Sequence, residues 1–560
     1  MVNFSETETK ALEKHFVTSA SSSIYALRAE CPPEVFGAFG SFFSRNPKDL
    51  RNHLVDAING NIPGYSIIDK SIGIKNMNRL AEVESPGFES PAIALKSGVA
   101  KSQSFFSDFY GKYSHKSIAN VVWIPFVANN VSQLFARQLA YDQLAFFIEQ
   151  STRFVKFDVE NLYLDRDIMK SNHSDLFIST LRNASEAYEK FTELAADHYS
   201  KDISFEKWHS KQDDSTKSMP DDKQKLKYRR ELKAKSFDVA RLLLPQAVRT
   251  NIAWILDARS TEYDIAAWKG HPLSELNQSA ELIEKAGGEI APSLLKYTTK
   301  NSYYEDQYYN NGLNVELPPR NLSKGVNLIS YDKNAFEKSL AILLLRNNRS
   351  GSFSDYYSHV KSLDFDDKIN ILRRVTEKRG ERDEWVDVEE AFDCISITAE
   401  VITDIGAVRD LRRHQKWDRT EGRYTLDNGF YLPEIIKEMG REAIEVYSEV
   451  MNRSHDAELL IRKDFPDAVQ YLTPMAAYHP IIMRGGLDQF QYIVATRTTP
   501  QGHFSYREDS YNLAEAVCKV HPWIIGLQKY PEGKKVQDVV RDAPLKNVLR
   551  MYLGETGLHQ

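Results

Sequence analysis

The sequence predicts an α+β chain made of two tandem copies of one domain, helix-dominated with small mixed sheets. Three observations point there. At 560 residues the chain is too long for one ordinary core and suits two to four domains, or two larger halves. Much of it spaces apolar residues three and four apart, as a buried helix face does, with only short strand candidates between. The second half then repeats the order of features in the first.

Ser5 with Glu8 reads as a capping box, so the chain opens on a helix. The stretch before it lacks the basic start and apolar run of a signal peptide. The most apolar region, residues 121–148, is broken by Asn129, Asn130, Arg137 and Asp142, which argues against a membrane span. From residue 126 to 157 the apolar spacing predicts one amphipathic helix. Residues 196–235 are dense in charge and poor in apolar side chains, which predicts an exposed insertion. Residues 237–254 and 282–295 read as helices again. A stretch rich in Tyr and Asn, residues 301–311, followed by Pro318 and Pro319, marks a linker at 301–330 between a first copy at 1–300 and a second at 331–560. In the second copy helices are expected around 336–346, 366–378, 431–451 and 505–519. An apolar segment lies at 386–411 and a charged motif at 412–425. Residues 327–330 and 491–497 are strand candidates.

Hydrophobic residues at 42% and charged residues at 27% are globular values. With 72 Lys and Arg against 78 Asp and Glu, the net charge of -6 gives no electrostatic argument for nucleic acid or an anionic membrane. Cys31, Cys394 and Cys518 are scattered without CxxC spacing, which suits a reducing, cytoplasmic setting and neither a disulfide framework nor a zinc site. Cys394, on an apolar stretch, is expected in the core. The sequence contains no GxGxxG after a strand, no GxxxxGK[ST], no HExxH and no GxSxG, so those nucleotide, metal and hydrolase classes drop out.

Two clusters carry chemistry. Glu149, Gln150, Ser151, Thr152 and Arg153 bring a carboxylate, an amide, hydroxyls and a guanidinium beside an apolar segment. Glu149 and Arg153 could form an ordinary i,i+4 helix salt bridge. Alternatively the guanidinium fork binds phosphate while Gln150 or Ser151 reads a base edge. The second cluster, residues 409–424, is dense in Arg and Lys around His414. It is either a solvated helix face or a seat for a phosphate or diphosphate.

These residues resemble the motif of flavin-dependent thymidylate synthases, which runs from Arg-His-Arg to a closing Glu-x-Ser-x-Arg-Tyr stretch. In the first half, Glu149 to Phe154 resembles the motif's end, while Tyr141, Asp142 and Gln143 occupy the Arg-His-Arg positions. In the second half, Arg413, His414 and Gln415 resemble its start, with Gln for the last Arg, while Glu421, Gly422, Arg423 and Tyr424 form a shortened ending without the Ser. Supporting segments include His115 with Ser117, Val131 with Ser132, Ala240 and Arg241 through Pro245, and Asp257 with Arg259. In the second copy they are Pro474, Arg497, and Gln501 with His503. The resemblance covers about residues 100–275 and 380–525 and extends to the long, duplicated bacterial members of the family.

What the resemblance implies is specific. Family members are homotetramers whose sites form where subunits meet, so a fused pair would be half a tetramer and a homodimer would complete it. Arg413 and His414 would contact the FAD phosphates, with Glu149 and His115 also on the flavin side. Gln150, Ser151, Arg153 and Arg259 would bind deoxyuridylate (dUMP), and Ser151 and Arg153 would be catalytic. One composite site per chain would survive, and its reciprocal, from residues 141–143 and 421–423, would be lost. The implied reaction converts dUMP to dTMP, with FAD as cofactor and NADPH and methylenetetrahydrofolate as co-substrates. No metal is expected, His115 and His414 reading as hydrogen-bonding or capping residues. Gln415 takes a permanent charge from the flavin side. An enzyme acting on another pyrimidine nucleotide, or a non-catalytic nucleotide- and flavin-binding scaffold, are the competing readings.

Overall fold

The capping box forms as the sequence predicts. Ser5 Oγ accepts from the Glu8 amide while the Glu8 carboxylate accepts from the Ser5 amide, starting helix α1 (Glu6–His15). The computed structural model describes residues 4–28, 47–59, 119–120, 122–153, 155–157, 161–309, 315, 317–376, 390–498 and 502–527. His115, Ser117 and Gln501 lie outside them. Two units emerge, Met1–Leu317 with Glu438–Pro474, and Pro318–Lys437 with Met475–Gln560.

The first unit holds an antiparallel sheet in the order β1-β2-β4-β3. Its strands are β1 (Ile24–Ala26), β2 (Trp123–Ser132), β3 (Phe146–Glu149) and β4 (Arg249–Asp257). The single helix expected over residues 126–157 is therefore strand β2, a short helix α2 (Gln133–Leu139) and strand β3. Phe126, Val127 and Ala128 are all buried, so both faces of β2 are covered and the alternation that marks a strand disappears. Phe126 stacks on its register partner Trp254 with ring centroids 5.2 Å apart. Trp254 lies in β4, not in a helix. Between Ala128 and Val131 the register shifts, and Asn130 takes up the bulge at φ 56°.

The charge-dense segment is helical over most of its length. It includes the end of α3 (Ser174–Asp202), two short helices, and most of α4 (Asp221–Ala240), and most of its charged side chains are exposed. Trp208 holds it down, buried and donating from Nε1 to Glu231 at 2.6 Å. Helix Arg441–Ile461 packs against α3. Helices α5 (Ala258–Trp268) and α6 (Ser274–Ile290) follow β4.

The second unit repeats this plan with an antiparallel sheet ordered β5-β6-β8-β7. Its elements are β5 (Gly325–Tyr331), α7 (Ala335–Asn347), α8 (Phe365–Thr376), β6 (Ser396–Asp404), α9 (Ile405–Leu411), β7 (Asp418–Glu421), β8 (Tyr478–Gly486), α10 (Leu487–Arg497) and α11 (Phe504–Val520). Residues 491–497, read as a strand from their Tyr, Ile, Val and Thr content, lie in α10, where burial of Ile493 and Val494 decides the conformation. The core gathers Phe336, Phe392, Trp417 and Trp523, with Phe336 stacked on Trp523 at 5.1 Å. Cys394 is exposed in the turn before β6 and is not a core residue. Cys518, in α11, is the buried thiol, and burial pushes its pKa up to about 12.

The duplication is visible at the level of single bonds. Ser132 caps α2 and Asp404 caps α9 at equivalent points of the two sheets. The Ser132 hydroxyl donates to Glu275 near the start of α6, whereas Asp404 accepts from the Ser505 hydroxyl near the start of α11. Donor and acceptor have exchanged places while the contact has survived. Around it the second unit adds Lys324, whose Nζ lies 2.7 Å from Ser505 Oγ, 2.8 Å from Asp509 and 3.2 Å from Asp404.

Candidate functional site

Equal spacing from the two helix caps pairs Arg137 with Arg409, Asp142 with His414, Gln143 with Gln415, and Glu149 with Glu421. The two corners built on these positions are lined differently.

In the first unit, Glu149 ends β3, where it pairs with Ile252, and the Gln150 amide donates to the Asn251 carbonyl at 2.9 Å. Glu149, Gln150 and Thr152 are buried, Ser151 and Arg153 partly so. The segment is a turn off the sheet edge and not a helix, so the i,i+4 helix geometry expected for Glu149 and Arg153 is not formed. Arg153 instead closes its fork on Asp238 of α4, with Nε and Nη2 at 2.7 and 2.8 Å from the two carboxylate oxygens. Ser151 Oγ accepts from the Arg153 amide at 3.3 Å, and Arg241 Nη1 donates to Thr152 at 3.3 Å. Arg259 is exposed in the first turn of α5, its amide capped by Asp257 at 3.1 Å.

Further along the same unit the corner is acidic. Burial, and secondarily the Asp257 charge, raises the Asp142 carboxyl, and Asp264 is held well above the ordinary range by burial with Asp142 and Asp257 nearby.

The second unit reverses this. His414 is buried just past α9, and its Nε2 accepts from Arg497 Nε of α10 at 2.7 Å. Burial first, then the charges of Arg497, Arg419 and Arg413, lower its pKa to about 3, so the imidazole is neutral at physiological pH. Arg413 is exposed, 3.8 Å from Asp410. Arg412 is 2% exposed, and among the described residues its Nε and Nη1 have no hydrogen-bond partner. Glu421 meets His479 at 3.0 Å, with Tyr424 edge-on to that ring at 4.7 Å.

Gln150, Ser151 and Arg153 are thus brought onto one turn in the first unit, and Arg413 and His414 onto one corner in the second. Sequence reasoning missed Asp238, which lies 85 residues from Arg153, and the Glu421–His479 pair, 58 residues apart. It noted Arg497 only as a supporting position. Among the described residues no group of three His, Cys, Asp or Glu could hold a metal ion, and no helix is long and apolar enough to cross a membrane.

The family model described as thymidylate synthase complementing protein matches residues 75–293 and again 346–523. The chain belongs to that family. Each match takes in three of the four strands of one sheet, β2 to β4 in the first and β6 to β8 in the second. Among relatives, a UPF0159 protein of Chlamydia pneumoniae is 25% identical over 527 residues, covering 91% of each chain. One from Thermoplasma acidophilum is 24% identical over 495 residues, 83% of this chain and 97% of the relative. A flavin-dependent thymidylate synthase of Clostridium tetani is 25% identical over 201 residues, 34% of this chain and 69% of its own. A solved UMP/dUMP methylase from Streptomyces cacaoi, bound with 5-Br dUMP, aligns at 15% identity over 35% of this chain and 91% of its own. Its TM-score of 0.27 carries no weight here.

Proposed function

We propose that this family member is a flavin-dependent nucleotide methylase that converts dUMP to dTMP with methylenetetrahydrofolate and NADPH, using one set of flavin residues and one set of nucleotide residues per chain. The observation that carries the reading is the different lining of the two equivalent corners, guanidinium groups in one and carboxyls in the other. Where the second unit surrounds His414 with Arg413, Arg419 and Arg497, the first has Asp142, Asp257 and Asp264. Only the cationic corner suits a diphosphate.

Fit to FAD is supported by that donor set, since exposed Arg413 offers a guanidinium beside a neutral His414 with an apolar Tyr492 ring 5.7 Å away. Bound FAD would supply hydride transfer. The chain's own residues would bind and orient. Arg153, aimed by Asp238, would present a fixed guanidinium to the nucleotide phosphate, the Gln150 amide would read the pyrimidine edge, and Ser151 would donate from its hydroxyl. Arg259 would add a second cation. Cytoplasmic residence and assembly as a homodimer complete the proposal.

The alternative of a degenerate nucleotide- and flavin-binding scaffold has one observation on its side. The Arg153 fork is already closed on Asp238, so a phosphate meets a guanidinium whose charge is partly answered. The test is to incubate the purified chain with dUMP, methylenetetrahydrofolate, NADPH and FAD and assay dTMP. Formation of dTMP, lost in Arg153→Gln, supports the reading. Bound flavin with no dTMP points to another pyrimidine nucleotide if one is methylated in place of dUMP and to the degenerate scaffold if none is, and binding of neither ligand contradicts both.

A further inference from the structure

Two guanidinium groups of the first unit have their charge answered by a carboxylate. Arg51, with its side chain 4% exposed, closes its fork on Asp49 and donates its remaining nitrogen to the carbonyls of Ser19 and Ser22. Arg153 is answered by Asp238. Arg412 differs from both, and where the buried Arg241 and Arg409 each leave only Nε without a hydrogen-bond partner among the described residues, Arg412 leaves two nitrogens. It is among the largest fully buried side chains, and its Nε and Nη1 find no acceptor among the described residues. Guanidinium stays protonated at any accessible pH, so the charge cannot be shed by titration. A buried permanent cation with two unpartnered nitrogens is costly and calls for an anion.

The surroundings define that anion. Arg412 caps α9 with αR backbone geometry, one helical turn beyond the buried Arg409 and adjacent to Arg413 and His414. The α9 carboxylate nearest in sequence, Asp410, lies beside Arg413. The equivalent of Arg412 in the first unit, by equal spacing from the helix caps, is Ala140, which lies next to the acidic corner. The cation thus occurs only in the copy whose corner is otherwise basic. Gln415, meanwhile, lacks the charge that the motif it resembles would carry.

We infer that Arg412 is the buried phosphate-binding residue of the second unit, taking a phosphate or diphosphate group on its Nε and Nη1 and supplying the guanidinium that Gln415 does not. Only the identity of the ligand as FAD rests on the proposed function. The anion site itself rests on Arg412.

The experiment uses the full chain as wild type, Arg412→Met and Arg412→Lys. Melting temperature is followed with inorganic pyrophosphate, FAD, dUMP or sulfate added, each over a concentration series. The wild type should be stabilised by pyrophosphate and FAD. Arg412→Met should melt at the same temperature as the ligand-free wild type or higher, because an unanswered buried charge has been replaced by an apolar chain of similar length. Its affinity for pyrophosphate should fall at least about tenfold, the loss of one charge-assisted fork. Arg412→Lys should retain part of the response, since charge without the planar fork remains.

Arg412→Met melting lower than ligand-free wild type, with pyrophosphate binding intact, would mean that the chain itself answers the charge, and the inference falls. No response of the wild type to any anion overturns it as well. If pyrophosphate binds through Arg412 while FAD and dUMP do not, the site stands and the proposed function falls. If FAD binds wild type and Arg412→Met equally, the function stands and this inference falls.

Discussion

Replacing Glu275 tests whether the exchanged bond between helix caps is a strut of the first unit. Its carboxylate is wholly buried and accepts from the Ser132 amide at 2.8 Å, the Ser132 hydroxyl at 2.5 Å and the Tyr471 hydroxyl at 2.9 Å. Glu275→Ala leaves three buried donors without a partner. At about 1–3 kcal/mol for each orphaned group the gross loss is at least ~3 kcal/mol. Against this stands relief from burying an acid, whose pKa is raised chiefly by desolvation. A net destabilisation of ~2–4 kcal/mol is the expected outcome. Glu275→Gln keeps one oxygen for the Ser132 amide and should cost only ~1 kcal/mol. Urea unfolding of the full chain, followed by tryptophan fluorescence, measures both. With two units the unfolding need not be two-state, so hydrogen exchange at the amides of β2 and α2 gives the local readout. Two variants of equal cost, or a Glu275→Ala cost below ~0.5 kcal/mol, would refute the reasoning, since orphaned buried donors cannot be that cheap.

Other consequences follow from the second unit. His414, lowered to about 3, contributes stability that is complete above its unfolded pKa of 6.5 and is lost as pH falls from there toward 3; its imidazole resonances in NMR should not titrate between pH 5 and 8. Asp509 is raised to about 6, principally by burial, so its contribution is complete below the unfolded value of 3.8 and is lost as pH rises through 6. Between pH 4 and 6 the two slopes oppose each other, each about 1.4 kcal/mol per pH unit at most. Asp509→Asn should therefore steepen the loss of stability on acidification, as read from urea midpoints at several pH values; an unchanged slope would contradict the assignment. Gly485→Ala would bring a Cβ to 2.6 Å from the fully buried Trp417 ring, and a loss of ~2 kcal/mol or more in urea unfolding is expected.

What the sequence made legible was local. The capping box at Ser5 and Glu8, helix α7, helix α11 and strand β5 all follow from patterns contained within a dozen residues or fewer on either side. Residues 126–157 misled because β2 is covered on both faces, and a fully buried strand carries no alternation to separate it from a helix. Residues 491–497 misled in the other direction, their branched and aromatic side chains favouring a strand until packing in the core made them helical. For the site, the charge density around Arg413 and His414 was visible in the chain itself. The partners were not, because Asp238 and Arg497 stand 85 and 83 residues from the groups they hold. Nothing local in the sequence marks Arg412 as buried, since an Arg in a basic run normally faces solvent. The acidity of the opposite corner emerges only when α5 brings Asp264 near Asp142.

The central claim is that two copies of one fold have kept complementary sets of ligand residues. It is tested most directly by titrating the purified full chain with FAD, following the flavin absorption near 450 nm, with and without dUMP. The account predicts a flavin band that perturbs on dUMP addition and saturates at one FAD and one dUMP per chain. Two equivalent flavins per chain, or none, would contradict it.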